Sequence, residues 1–119
     1  MYLGYAAGFF DGEGCVSIHN YNLVVRINQV RREVLDELTK AYGGSVISMS
    51  PPRKSTHRQC YAWSLYGQKA YEFLKKLLPF LIVKENEVAY AIQFWEAEDR
   101  TKTWRDHREK LKELKKEIN

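Results

Sequence analysis

The sequence predicts an α+β domain, a four-stranded antiparallel sheet with helices packed on one face. Three observations carry this. Two pairs of short strand-like runs each precede an amphipathic stretch, which is the pattern of hairpins alternating with helices. In the first pair, side chains alternate between an apolar and a polar face, as in a sheet covered on one side. The length, 119 residues, allows one modest core.

The elements follow in order. Residues 2–10 form a short helix that ends in a glycine-rich turn. Residues 15–19 and 23–28 are strands joined by the tight turn "NYN". In "VRREVLDELTKAYGG", Val30, Val34, Leu35, Leu38 and Tyr42 recur at helical spacing, and Gly43 and Gly44 stop the helix. "SVISMS" is a third strand. "PPRKSTH" is a loop, because Pro51 and Pro52 cannot sit inside a sheet ladder. "RQCYAWSL" is a fourth strand, with Tyr61, Trp63 and Leu65 on one side. "GQKAYEFLKKLL" is a helix halted by Pro79. "ENEVAYAIQFWEAEDR" is another, with Val88, Ala91, Ile92 and Trp95 on its buried stripe. The tail is a charged helix with few apolar residues, whose mixed charge predicts a solvated face. The expected division is a domain over residues 1–99 and a helical extension over 100–119.

The composition is that of an ordinary soluble globular domain, and the net charge of +4 tilts mildly toward an anionic partner. Cys15 and Cys60 lack metal-type spacing and make no disulfide framework, so they are expected to be reduced packing residues in an intracellular protein. The first ten residues lack a basic n-region, which argues against a signal peptide. No apolar run approaches the ~20 residues of a membrane span, so no membrane partner is expected. His19, His57 and His107 are too scattered to suggest a metal site.

The first hairpin puts Val16, Ile18, Val25 and Ile27 on one face. Ser17, His19, Tyr21, Arg26 and Asn28 fall on the other, with Val24 the apolar exception. Two readings are open for the polar face. It is simply solvated, or it is a two-stranded ribbon that enters the DNA major groove and reads base edges. Arg53, Lys54, His57 and Arg58 cluster around the third-to-fourth strand loop, either solvated or gripping phosphates. Tyr66, Gln68 and Lys69 are weaker candidates for backbone contact.

The stretch "AAGFFDGEG", residues 6–14, also has two readings. One is a helix end running into a strand, with surface acids. The other is a helix whose small residues admit a close neighbour, with acids at its foot where glycines let the backbone bend. With its flanks, "LGYAAGFFDGEGCVSI", the stretch resembles the motif of the LAGLIDADG homing endonucleases, and its single copy resembles their single-motif type. The likeness spans residues 2–99, since the family repeat is αββαββα with a saddle-shaped sheet.

That resemblance implies a homodimeric, Mg²⁺-dependent endonuclease acting on double-stranded DNA with a pseudo-palindromic target and leaving 3′ overhangs. Glu13 closes the motif and would be the metal ligand, a glutamate where many members have aspartate. The Gly12 carbonyl would face the same metal. Gln29 in "RINQV" and Lys84 in "LPFLIVKENE" resemble the remaining catalytic pair, although the spacing from Gln29 to the next helix is shorter than usual. Arg31 or Arg32 would hold a further basic position. One motif supplies one acid while a duplex has two strands, so two motif helices would pair through Ala6, Ala7, Gly8 and Asp11 about a twofold axis. Asp11 would also shape the helix end. Two rival classes remain: a LAGLIDADG-type DNA- or RNA-binding protein that does not cut, such as a regulator or maturase, and a protein-interaction domain.

Overall fold

The computed structural model describes residues 1–49 and 58–117, apart from the side chain of Glu117. The chain runs α1 (Leu3–Glu13), β1 (Gly14–His19), β2 (Asn22–Gln29), α2 (Arg32–Tyr42), β3 (Ser45–Ser48), β4 (Tyr61–Tyr66), α3 (Gly67–Leu77), a 3-10 turn (Leu78–Phe80), α4 (Glu85–Glu96) and α5 (Arg100–Glu117). The four strands make one antiparallel sheet in the order β1-β2-β4-β3, with β1 and β3 at its edges.

The core lies between one face of this sheet and the helices. Val16, Ile18, Leu23, Val25, Ile27, Trp63 and Leu65 supply the strand side. Phe10, Leu35, Leu38, Phe73, Leu74, Val88 and Phe94 supply the helical side. Phe73 sits at the centre, with the rings of Phe10, Tyr42 and Trp63 edge-on to it at 5.9, 4.9 and 5.3 Å. Asn20 takes a left-handed conformation in the β1–β2 turn, which asparagine tolerates. Gly43 and Gly44 both have positive φ after α2, and the Gly43 carbonyl accepts a hydrogen bond from the Trp63 indole at 2.9 Å. That bond fixes the exit of α2 onto the sheet.

Four expectations need correction. α1 does not stop at Phe10 but continues through Asp11, Gly12 and Glu13, so the acids stand in its last turn. Val30 lies outside α2 and is exposed, because the Gln29 side chain accepts the backbone N–H of Val30 at 2.9 Å and turns the chain there. On α4, Phe94 is fully buried while Trp95 is only partly so, its indole donating to Gln68 and its ring covered by Arg100. α5 is not a solvated appendage: Leu111 is buried in the core, and the phenolic oxygen of Tyr90 and Nδ1 of His107 share a hydrogen bond at 2.8 Å.

The glycine at position 14 is there for space and not for φ. Its backbone is extended, with φ −82°. A Cβ placed on it would meet the Phe10 ring at 2.1 Å. Phe10 is itself fully buried against Phe73, so the ring has nowhere to withdraw. Gly14→Ala should therefore lower the unfolding free energy by about 1–3 kcal/mol through overpacking, read as a lower urea midpoint at unchanged slope. The double variant Phe10→Leu/Gly14→Ala should lose less than the two single losses added, because the colliding groups are coupled.

Candidate active site and nucleic-acid interface

The end of α1 is tied to the start of α4. The Asp11 carboxylate accepts three successive backbone N–H groups, from Ile82 and Val83 at 3.0 Å and from Lys84 at 2.9 Å. In return the Lys84 ammonium donates to the Asp11 carbonyl at 2.6 Å. Partial burial works against ionisation of Asp11, but the three N–H bonds and the Lys84 charge outweigh it and hold the carboxyl below its ordinary range. Asp11 thus shapes the helix end from within its own chain.

Glu13 follows as the last residue of α1 and is exposed. Ion pairs among the described residues use Asp36, Glu37 and Glu109 and leave Glu13 aside. Gly12 belongs to the same final turn, where carbonyls have no helical partner. Gln29 ends β2. The register pairs Gly14 with Ile27, so β2 runs two residues further and brings Gln29 to the end of the sheet where α1 hands over to β1. The Gln29 carbonyl oxygen is used locally, by Val30 and Arg31, while its NH₂ group has no acceptor among the described residues. Glu13, Gly12, Gln29 and Lys84 thus gather at one end of the molecule.

The donor set suits a hard divalent cation: a free carboxylate and a backbone carbonyl, both oxygen. Among the described residues no three His, Cys, Asp or Glu side chains come together as a metal cluster. Oxygen donors of this kind suit an ion that keeps waters and takes phosphates alongside one or two carboxylates.

The sheet face away from the core carries the polar ribbon. Its cross-strand rows are set by register: Cys15, Arg26, Ser64 and Ser45 in one, and Ser17, Val24 and Tyr66 in another. Asn28 stands in a third row with Ala62 and Ile47. The Arg26 guanidinium donates to the Ser64 hydroxyl at 3.3 Å. Cys15, Ser17, His19, Val24, Arg26 and Tyr66 line a shallow groove of about 500 Å³. Tyr21 is exposed at the tip of the hairpin. Two of these lining residues were not assigned to the face from sequence. Cys15 is exposed here and not a packing residue. Tyr66 shares the outward parity of Ala62 and Ser64, a signal available once Trp63 and Leu65 were turned inward.

Arg31 and Arg32 stand at the start of α2. Arg32 is committed to Asp36 at 3.4 Å and lies over the Tyr61 ring, on the helical side of the sheet. Arg58 is exposed at the base of the β3–β4 connection. Arg53, Lys54 and His57 lie outside the described residues.

The intended pairing face of α1 also needs correction. Ala6 and Ala7 are buried in the protomer's own core. The open side of the helix carries Gly4, Gly8 and Gly12, and a Cβ on any of the three would meet no heavy atom within 4 Å. Next to its end, the loop held by Asp11 exposes Phe80, Ile82 and Val83 at 54, 84 and 52%.

No protein-family model matches the chain, and no curated protein matches it either. Solved structures do. The homing endonuclease I-CvuI, in complex with the I-CreI target and 2 mM Mg, aligns over 98% of this chain and 81% of its own, with TM-score 0.70 and 19% identity. The archaeal intron-encoded homing endonuclease I-Vdi141I, complexed with DNA, aligns over 98% and 80%, with TM-score 0.68 and 22% identity. I-SmaMI, bound to an uncleaved DNA target with calcium ions, aligns over all of this chain but 45% of its own, with TM-score 0.62 and 19% identity. At such identities the shared property is the fold. The chain has an α+β fold, with an antiparallel sheet open on one face and an acid closing its first helix. It is the fold of the LAGLIDADG homing endonucleases, as the motif in residues 6–14 resembles. Both alignments at 98% extend over α5, which the motif-based division set apart.

Asp11→Asn should destabilise the metal-free protein by about 1–3 kcal/mol, since it weakens hydrogen bonds to an ionised acceptor. The sign of the pH effect follows from the lowered folded value. Stabilisation by Asp11 is complete above its unfolded value of 3.8 and is lost as pH falls through the lower folded one. The stability gap between wild type and Asp11→Asn should therefore stay constant near neutrality and close in acid, in urea titrations run at several pH values.

Proposed function

We propose that the chain is a site-specific endonuclease that cuts double-stranded DNA as a homodimer with a divalent cation, leaving 3′ overhangs. One observation carries the reading. An unpaired carboxylate, Glu13, ends the motif helix at the point where Lys84 is pinned and Gln29 presents free amide donors. Of the two motif acids, Asp11 is hydrogen-bonded within the chain and Glu13 is the one left open to a ligand.

In this reading Glu13 and the Gly12 carbonyl hold the cation. When bound, Mg²⁺ stabilises charge on the phosphoryl group under attack and lowers the pKa of a bound water. Gln29 orients the attacking water through its NH₂ group. Lys84, held in place by its hydrogen bond to the Asp11 carbonyl, supplies positive charge near the phosphate. Ser17, His19, Tyr21, Arg26 and Asn28 read base edges of the target from the open face. Arg31, Arg53, Lys54, His57 and Arg58 hold phosphates.

Two strands require two sites. I-SmaMI supports a paired arrangement, since this chain covers 45% of it and leaves room for a second unit. The pairing face is the open side of α1, with Gly4, Gly8 and Gly12, continued by Phe80, Ile82 and Val83. A contiguous exposed apolar patch beside a bare helix face is the kind of surface a partner covers. The pair brings two Glu13 carboxylates close, and at ~6 Å and an effective dielectric of ~20 they repel by ~3 kcal/mol. Cations and phosphates offset that repulsion.

The deciding experiment is incubation with a randomised plasmid library and Mg²⁺. A linear product of defined sequence is expected. Salt-sensitive binding without any linear product, at saturating metal, would instead mark a non-cutting regulator or maturase. Glu13→Gln should abolish cleavage and keep sequence-specific binding, and turnover near the wild-type rate would remove Glu13 from the site. Gly8→Leu should place a bulky side chain on the pairing face and shift the protein toward monomer. A variant that still sediments as a dimer would refute that face.

A further inference from the structure

α5 does more than cover the core. Its last turn reaches back to the edge strand β1, which begins directly after Glu13. The Lys115 ammonium donates to the Val16 carbonyl and lies 3.6 Å from the Cys15 sulfur. These are the second and third residues after Glu13. Among the described residues β1 pairs with β2 alone, and α5 packs beside it. Leu111, one helical turn before Lys115, is buried in the core and fixes the approach of the helix.

Glu87, in the first turn of α4, is only 4% exposed. Burial pushes the Glu87 carboxyl up, while the charges of Lys115 and Lys84 pull it back and that of Asp11 adds to the rise. One buried acid therefore feels both the lysine at the end of α5 and the lysine at the foot of α4.

We propose that Lys115 is a positioning residue for the Glu13 site: it ties the end of α5 to Cys15 and Val16 and so fixes the strand into which Glu13 leads. This role rests on the endonuclease reading. An ammonium bound to a carbonyl makes a charge-assisted bond. An edge strand held on one side only can shear by a fraction of an ångström, and catalytic geometry is sensitive on that scale. Lys115 touches none of the reacting groups and acts through β1.

The test uses the full chain with Lys115→Met, which keeps the apolar stem, and Lys115→Arg, which keeps the charge. Three readouts are compared: amide hydrogen exchange along β1, single-turnover cleavage of a duplex selected from the plasmid library, and affinity for that duplex as a function of salt. Lys115→Met should speed exchange at residues 15–17 about tenfold while protection in β4 and α3 holds, which separates local loosening from global loss of stability. Cleavage at saturating DNA and Mg²⁺ should slow by about 10–100-fold, the usual cost of losing a supporting contact behind a metal ligand. DNA affinity should stay within about twofold, with an unchanged salt slope, and Lys115→Arg should restore both exchange and rate. Equal exchange and equal cleavage rate in Lys115→Met would overturn the role. So would a parallel loss of affinity with the salt slope reduced by about one, which marks a phosphate contact. Faster exchange without slower cleavage would leave only a structural tie and also overturn it. A wild-type chain that cuts no duplex would overturn the endonuclease reading and this role with it. A wild type that cuts, beside a Lys115→Met that cuts equally fast, would overturn this role alone.

Discussion

The arrangement depends on a reciprocal bond between two helix ends. α4 has no side-chain cap of its own, and Lys84 at its N-cap position supplies none. The cap comes instead from Asp11, far back in the chain, whose carboxylate takes the three N–H groups leading into α4. α1 has the complementary need at its C-terminus, where carbonyls lack helical partners. Lys84 answers it at the Asp11 carbonyl. Each charge sits at the helix end whose macrodipole favours it, an anion before α4 and a cation after α1. Two elements distant in sequence are thereby set in one geometry.

That bond explains features that otherwise look unfavourable. The loop over Ile82 and Val83 presents apolar side chains to water, yet its backbone is locked by Asp11 and cannot fold them inward. α1 keeps its helical form through Gly12, although glycine lowers helix stability by about 1 kcal/mol relative to alanine. The tertiary bonds at Asp11 stabilise the final turn against that loss. With the turn intact, Glu13 leaves the helix in a defined direction, and its neighbour Asp11 is already occupied. The two acids of the motif divide their roles by environment: one is fully hydrogen-bonded, the other open.

The sheet was legible in the sequence because its signal is local. Period-two alternation in residues 15–28 sorted Val16, Val25 and Ile27 from Ser17, Arg26 and Asn28, and the register keeps that sorting. The end of α1 was not legible for the opposite reason. Gly12 and Gly14 are turn signals when read alone, and only contacts with Ile82–Lys84 and the Phe10 ring show one as helical and the other as a clearance for packing. Ala6 and Ala7 announce a close approach without saying to what. The neighbour is the protomer's own core, and the bare outer stripe belongs to glycines. For α5 the signal was present but thin. Trp104, His107 and Leu111 recur at helical spacing in a stretch dominated by charge, and that charge masked their inward face.

An incomplete metal shell is physically consistent with the proposed role. A site with one carboxylate and one carbonyl per chain binds a strongly hydrated cation weakly when alone. In the proposed dimer, a second Glu13 would raise the local negative charge. In the proposed function, Glu13 and the Gly12 carbonyl would hold the cation and phosphate oxygens of the DNA would add to its ligands. The shell can be completed only where the open face holds the duplex in register with the end of α1, which ties the chemical step to recognition by geometry alone. The ordering of Glu13 matters more in such a site than in a closed metal cage, where several ligands would correct one another. A single carboxylate has no such redundancy, and the supports around it, Asp11 with Lys84 on one side and β1 with α5 on the other, are where its aim is set.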